Sequence, residues 1–224
     1  MAVVSKKITQ AIRDKILSGE FLPGEHLREQ PLAEMFKASR TPVRVALTAN
    51  AQDGLLEYEP NKGFLVRSVS HDDVRQAFEM RSLVEGAVCR RVAERGMSLE
   101  AEREARYALE LVDKLTDKNS VVDSDLRSQW RTHNQKFHSA ILSSSDNKFF
   151  DNALEDVKKI PSVFPPVIGH YTLNDLRTFN DQHRMILECI LRRSGMRAEA
   201  LMKEHIFSAY STVSKNFDDG VFFS

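Results

Sequence analysis

The 224-residue chain has no apolar run long enough to span a bilayer. Its opening Met-Ala-Val-Val-Ser-Lys-Lys lacks the apolar core that a signal peptide carries after its charges. No membrane partner and a cytoplasmic location are therefore expected. Cysteine is scarce. Cys89 and Cys189 stand far apart, neither has a CxxC partner, and each lies among helical apolar positions. They read as reduced core residues rather than a disulfide or redox pair. No internal repeat or low-complexity tract appears. Net charge is also missing, with 32 basic against 32 acidic side chains, which argues against a nonspecific coater of nucleic acid. An apolar content of 42% and a charged content of 29% are ordinary for a soluble globular chain, and the length allows one large or two modest domains.

The most informative stretch runs from Leu32 to Gly63. Leu32, Ala33 and Phe36 give a short apolar helical face, Lys37-Ala38-Ser39 breaks it, and Arg40 opens a second helix with Val43, Ala46 and Leu47 inward. Two short helices joined by a tight break describe a helix-turn-helix. Arg40 and Arg44 stand one turn apart at the start of the second helix, where a recognition helix meets base edges. The arginine fork matches guanine O6 and N7. Two arginines on a solvated helix start prove little alone, but Leu55–Glu59 and Phe64–Arg67 then read as strands around Pro60-Asn61-Lys62-Gly63, a β-wing with a basic tip. Upstream, Ile8, Ile12, Ile16 and Leu17 share one face of a first helix over residues 5–18. Gly19 stops it, and the next helix begins near Glu29 with Pro31 in its first turn.

Ser39-Arg-Thr-Pro-Val-Arg44, Ala46-Leu47, Asp53-Gly54-Leu55 and Pro60-Asn61-Lys62-Gly63 resemble the N-terminal domain of GntR-family transcriptional regulators, as do Ile16-Leu17-Ser18-Gly19-Glu20 and Leu22-Pro23-Gly24-Glu25. The resemblance covers roughly the first seventy residues. It implies DNA contacts at Gln30, Ser39, Arg40, Thr41, Pro42, Arg44, Lys62 and Gly63. The chain departs from the family pattern at four places: Gln30 where a charge is common, Lys37 where the turn usually has Gly, Val45 for Glu and Asn50 for Leu. Lys37 implies a left-handed backbone without glycine's freedom, and Asn50 removes an apolar anchor.

Beyond the short connector Ser68-Val69-Ser70, only helices are expected. Ser70 and Asp73 form a capping box opening a helix to about Arg95, with Val74, Phe78, Val84, Val88 and Val92 on one side. Gly96 ends it and Ser98 caps the next, Leu99 to Lys118. Further helices run near Asp125–Ser143 and Phe149–Lys159. An irregular bend at Pro161, Pro165 and Pro166 follows. Thr172 and Asp175 then cap a helix to Arg193, and Gly195 precedes the last, reaching about Lys215. The expected fold is mainly α: a winged helix-turn-helix over residues 1–69, then an all-α antiparallel bundle of about six helices over residues 70–224.

Three bundle helices each point one imidazole inward. Asn134 and His138 fall in the stripe of Trp130, Phe137 and Ile141; His183 interrupts Leu176, Phe179, Ile186, Leu187 and Ile190; His205 interrupts Ala198, Leu201, Met202, Ala209 and Val213. A single histidine on an apolar face is usually a bonded core residue. Three converging ones, with Asn134 one turn before His138, can coordinate a divalent first-row metal. Arg81 lies on or beside its helix's apolar stripe and serves equally well as a fork for an effector carboxylate or as an i,i+4 partner of Glu85. His133 points off the stripe toward solvent. Trp130 reads as core, and the spacing assigns no role to His26, His71 or His170.

Glu79-Met-Arg-Ser-Leu-Val-Glu85, Asn134 to His138, His183-Arg-Met-Ile-Leu187 and His205 resemble the FCD ligand-binding domain of the FadR-type subfamily. That resemblance implies a metal, often Zn or Ni, held by Asn134, His138, His183 and His205, with a neutral Asn as oxygen ligand and an anionic effector completing the shell. The expectation is a non-enzymatic regulator that grips a palindromic double-stranded operator as a homodimer and responds to a small carboxylate bound by the metal and Arg81. Two other readings use the same residues: a pure metal sensor, and a metal-dependent hydrolase carrying a DNA-binding module. The hydrolase lacks a carboxylate base on the histidine stripes and a Glu-x-x-His pair.

Overall fold

The computed structural model describes residues 2–17, 20–60, 62–68, 70–158 and 171–218. Asn61 at the wing tip, the connector residue Val69, the Pro161, Pro165 and Pro166 bend and His170 lie outside them. The chain divides into two compact units, the first running to Asp73 and the second beginning at Val74.

In the first unit, α1 (Ala2–Leu17), α2 (Glu29–Met35) and α3 (Arg40–Gln52) pack with a three-stranded antiparallel sheet. Ile8, Ile12, Leu32, Ala33, Val43, Ala46 and Leu47 form its core, as the apolar spacing predicted, and Phe21, Leu27, Leu56, Phe64 and Val66 complete it. Lys37 takes up the left-handed backbone between α2 and α3 with φ of 49°. The two wing strands are β2 (Leu56–Glu59) and β3 (Gly63–Val66), with Glu59 opposite Gly63. A third strand, β1 (His26–Leu27), was not expected. It pairs with β3, Leu27 opposite Phe64, and fastens the α1–α2 connection to the hairpin. The bond from Gly24 N to Val66 O, 2.9 Å, extends that junction.

Asn50 is fully buried. Its amide donates to Thr9 O at 3.2 Å and Ala46 O at 2.9 Å, tying α3 to α1, but its Oδ1 is buried with no partner. Both accepting carbonyls lie within helices, so these bonds add little, whereas an unpaired buried carbonyl oxygen costs about 1–3 kcal/mol. Asn50→Leu is accordingly expected to raise the stability of this unit by about 1 kcal/mol. Urea denaturation reads this directly, and a lower midpoint would show that the tie to α1 outweighs the orphaned oxygen.

The second unit is built from α4 (His71–Arg95), α5 (Leu99–Lys118), α6 (Ser124–Ser144), α7 (Lys148–Lys158), α8 (Leu173–Leu191) and α9 (Gly195–Asp218). The capping signals read from the sequence are all formed. Ser70 and Asp73 exchange bonds of 2.9 and 3.1 Å, Ser98 accepts from Ala101, and Thr172 with Asp175 makes a full capping box. Gly96 ends α4 with φ of 99°. Val84 is only half-buried, while the rest of the expected α4 stripe is buried. Helix α5 packs on α6 and α8, and α8 on α9. Gly86 lets α4 approach α9, since a Cβ there would meet Lys203 side-chain carbons at 3.1 Å. Cys89 and Cys189 are buried and free, and Trp130 is in the core, edge-on to Tyr171. No described helix is long and apolar enough to cross a membrane.

Candidate DNA-reading face and metal centre

Ser39 caps α3 through extended backbone, but its hydroxyl makes no capping bond. Arg40, Thr41 and Arg44 stand exposed along the first turns of α3, and Gln30 is exposed on α2. Glu29, at the start of α2, holds both arginines at once. One carboxylate oxygen takes Arg40 at 3.1 Å, and the other takes Arg44 at 3.5 Å. The guanidinium groups are thus splayed, one per oxygen, with about two-thirds of each side chain still exposed. A groove of about 550 Å³ runs between this helix start and the wing, lined among others by Gln30, Arg40, Arg44, Lys62 and Gly63. Lys62 is exposed at the wing and pairs with Glu59 at 3.0 Å. Pro42 departs from the expectation. It is buried in α3, so it shapes the helix start and presents no side-chain surface to a ligand. The sequence did not single out Glu29, whose role follows only from the folding of α2 against α3.

In the second unit the three imidazoles meet. His138 on α6, His183 on α8 and His205 on α9 place their candidate ligand nitrogens within 4.8 Å of one another. His183 Nε2 lies 3.2 Å from His138 Nε2 and 3.0 Å from His205 Nε2. Nitrogens sharing a tetrahedral Zn at ordinary bond lengths would be about 3.4 Å apart, so the cluster is close to ligating geometry. Phe137 stacks on His183 at 4.2 Å and Phe179 stands edge-on to His205 at 5.8 Å, walling the rings with aromatic surface. His183 and His205 are buried. Burial, reinforced by neighbouring positive groups, holds both well below the usual imidazole range, leaving them uncharged at neutral pH, the form that ligates metal. Asn134 lies one turn before His138 on α6, half-buried.

The far sides of two rings are engaged. His138 Nδ1 sits 2.6 Å from Glu85 Oε2, and His205 Nδ1 sits 2.9 Å from Gln182 Oε1. In the neutral rings each Nδ1 donates to its oxygen, so each Nε2 presents a lone pair toward His183 Nε2. That nitrogen carries at most one proton, so hydrogen bonding can bridge only one of its two close contacts. The other is left without a proton to share, a bare lone pair set against a ring nitrogen that offers it no donor. A shared cation removes that conflict, and the donor set fits one.

Glu85 was not anticipated beside a histidine. It is buried, accepts from Arg81 Nε at 2.9 Å and from His138, and joins α4 to α6. Burial raises its pKa, but the Arg81 guanidinium and the His138 imidazole, each hydrogen-bonded to it, outweigh burial and hold the carboxyl well below the usual range. No carboxylate was read on the histidine stripes themselves, and Glu85 reaches His138 from outside them, on α4. Of the two readings of Arg81, the ion pair with Glu85 is formed, and the guanidinium lies 5.2 Å from the Phe78 ring. The reading of His133 is corrected: it is half-buried, with Nδ1 buried and unbonded, and burial together with Lys136 lowers its pKa.

The family model described as "Bacterial regulatory proteins, gntR family" matches residues 4–66, and that described as "FCD domain" matches residues 76–208. Similar proteins include an uncharacterized HTH-type transcriptional regulator, YdhC, of Bacillus subtilis, 28% identical over 89% of this chain and 84% of its own length. The HTH-type transcriptional repressor GlaR of Escherichia coli is 23% identical over 93% and 94%. LutR of Bacillus subtilis, an HTH-type transcriptional regulator, is 26% identical over 92% and 99%. Among solved structures, Escherichia coli McbR/YncC superposes with a TM-score of 0.71 at 18% identity, covering 96% of this chain and 98% of its own. A GntR regulator from Rhodococcus sp. RHA1 gives 0.67 at 22%, covering 93% and 96%.

Proposed function

As a member of the GntR family of bacterial regulatory proteins with an FCD domain, the chain is a DNA-binding transcriptional regulator rather than an enzyme, and we propose that a small organic acid, bound at a metal in the helical unit, sets its affinity for the operator. His138, His183 and His205, with Asn134 as oxygen donor, would hold a divalent ion, Zn or Ni. The ion supplies a Lewis-acidic position where a carboxylate completes the shell. The observation that carries this reading is the pair of short Nε2–Nε2 contacts at His183, which a single proton cannot bridge at once. The charge around it favours an anion. Three imidazoles and an amide bring no negative charge, and Glu85 is balanced by Arg81. A bound ion would therefore keep its full charge for the effector. Arg81 Nε is committed to Glu85, so any contact of Arg81 with effector would fall to its Nη atoms.

The DNA-reading face would act in a cytoplasmic homodimer on a palindromic operator. Gln30, Ser39, Arg40, Thr41, Arg44, Lys62 and Gly63 would touch DNA, and Pro42 would shape the helix start. The units 1–69 and 70–224 would divide reading from sensing. An effector shifts operator affinity only as far as it binds the two states of the dimer differently. Zn added to chelator-treated protein at a hundred times its Kd should stabilise the helical unit by about 2.7 kcal/mol, and His183→Ala should abolish that gain. Thermal unfolding with and without Zn, Ni and Co measures it; no stabilisation by any of the three would end the metal reading. Operator binding titrated with organic acids, with and without metal, then separates an acid-responsive regulator from a pure metal sensor.

A further inference from the structure

Resting on the metal reading above, we infer that Glu85 is the positioning residue of this centre, fixing which nitrogen His138 offers to the ion. A free neutral imidazole exchanges its proton between Nδ1 and Nε2, and only the unprotonated nitrogen can ligate. Glu85 removes the choice. Its Oε2, 2.6 Å from His138 Nδ1, requires a proton there and leaves Nε2 bare toward His183 and His205. The carboxylate is itself immobilised, because Oε1 accepts from Arg81 Nε at 2.9 Å one helical turn away. Arg81 rests over Phe78 at 5.2 Å. A relay therefore runs Arg81, Glu85, His138, and ends at the shared nitrogen cluster. It joins α4, which contributes none of the three histidines, to the centre.

The other histidines are treated differently. His205 has a neutral counterpart in Gln182, at 2.9 Å. His183 is held by the Phe137 face at 4.2 Å. His138 is the least buried of the three, half-buried where the others are buried. It therefore has most freedom to turn and gains most from a charged partner. A carboxylate also makes the imidazole a stronger donor to the ion, which an amide does less well.

Glu85→Gln keeps an acceptor oxygen and removes the charge, whereas Glu85→Ala removes both. Because either leaves Arg81 facing a lost partner, the pair Arg81→Met with Glu85→Gln is the third variant, free of a stranded buried charge. Two measurements apply to full-length protein. Competition with a chelator gives the Zn affinity, expected to fall about 10- to 100-fold in Glu85→Gln and in the double variant. Nitrogen NMR of the histidine rings in metal-free protein gives the tautomer. His138 should be the Nδ1–H form in the wild type and a mixture in Glu85→Ala.

Unchanged Zn affinity with an unchanged tautomer in all three variants would reduce Glu85 to a structural ion pair and overturn the inference. Loss of a coordinated oxygen from the Zn X-ray absorption spectrum of Glu85→Gln would make it a ligand, and would overturn it too. If the wild type takes up no Zn, the metal reading fails by itself. The tautomer of metal-free His138 still decides whether Glu85 sets the ring.

Discussion

Replacing Arg40 and Arg44 together by alanine is expected to weaken operator binding by about 2–6 kcal/mol, since each bidentate arginine–guanine pair contributes about 1–3 kcal/mol of discrimination. That is a loss of roughly thirtyfold to twenty-thousandfold. Both side chains are about two-thirds exposed at the start of α3, and both are aimed by Glu29, one on each carboxylate oxygen. Binding to unrelated duplex should fall far less, because phosphate contacts carry that part. Lys62→Ala provides the contrast: it should weaken operator and unrelated DNA alike and lower the salt slope by about 1. Fluorescence anisotropy on a selected operator and a scrambled duplex at two salt concentrations separates the cases. Equal losses on both duplexes for the double arginine variant would mean that these residues hold backbone and read no bases.

The second large effect concerns Phe137. It is buried on α6 and stacks against the His183 ring at 4.2 Å with the planes 27° apart. Phe137→Ala should cost about 3–5 kcal/mol, the transfer of the ring to water plus the cavity left behind. Phe149, on α7, offers the control. It is largely exposed, and its replacement by alanine should change stability by less than about 0.5 kcal/mol. Urea unfolding followed by far-UV circular dichroism gives both values. In the proposed metal centre the Phe137 variant would also hold Zn more weakly, because His183 loses the ring it stacks on. A cost below about 1 kcal/mol would show that the aromatic lining collapses freely around the gap.

The parts of the molecule that sequence could foretell are those written in local patterns. Helix ends followed from side chains within three residues of each other, such as Ser70 with Asp73 and Thr172 with Asp175. The three histidines were legible because each interrupts an apolar stripe at helical spacing. What escaped was set by contacts between distant segments. β1 is two residues, too short to alternate, and exists only because β3 lies beside it. Glu85 looks like half of an i,i+4 ion pair, which it is, but its second oxygen meets His138 from another helix. Gln182 sits next to His183 in sequence yet serves His205 across the interface of α8 and α9. His133 looked solvated because a stripe assigns a direction and cannot say how close the next helix comes.

The two-residue β1 has a wider consequence. By stitching the loop after α1 to the hairpin, it ties the wing strands to the helices that carry the paired arginines, so Lys62 and those arginines belong to one stamp. A ligand bound in the second unit, as proposed, would leave the letters of such a stamp as they are and act on where it is pressed. In the proposed homodimer, half a helical turn inserted between the half-sites would set the two stamps on opposite faces of the duplex and abolish tight binding, while a single half-site would still be read.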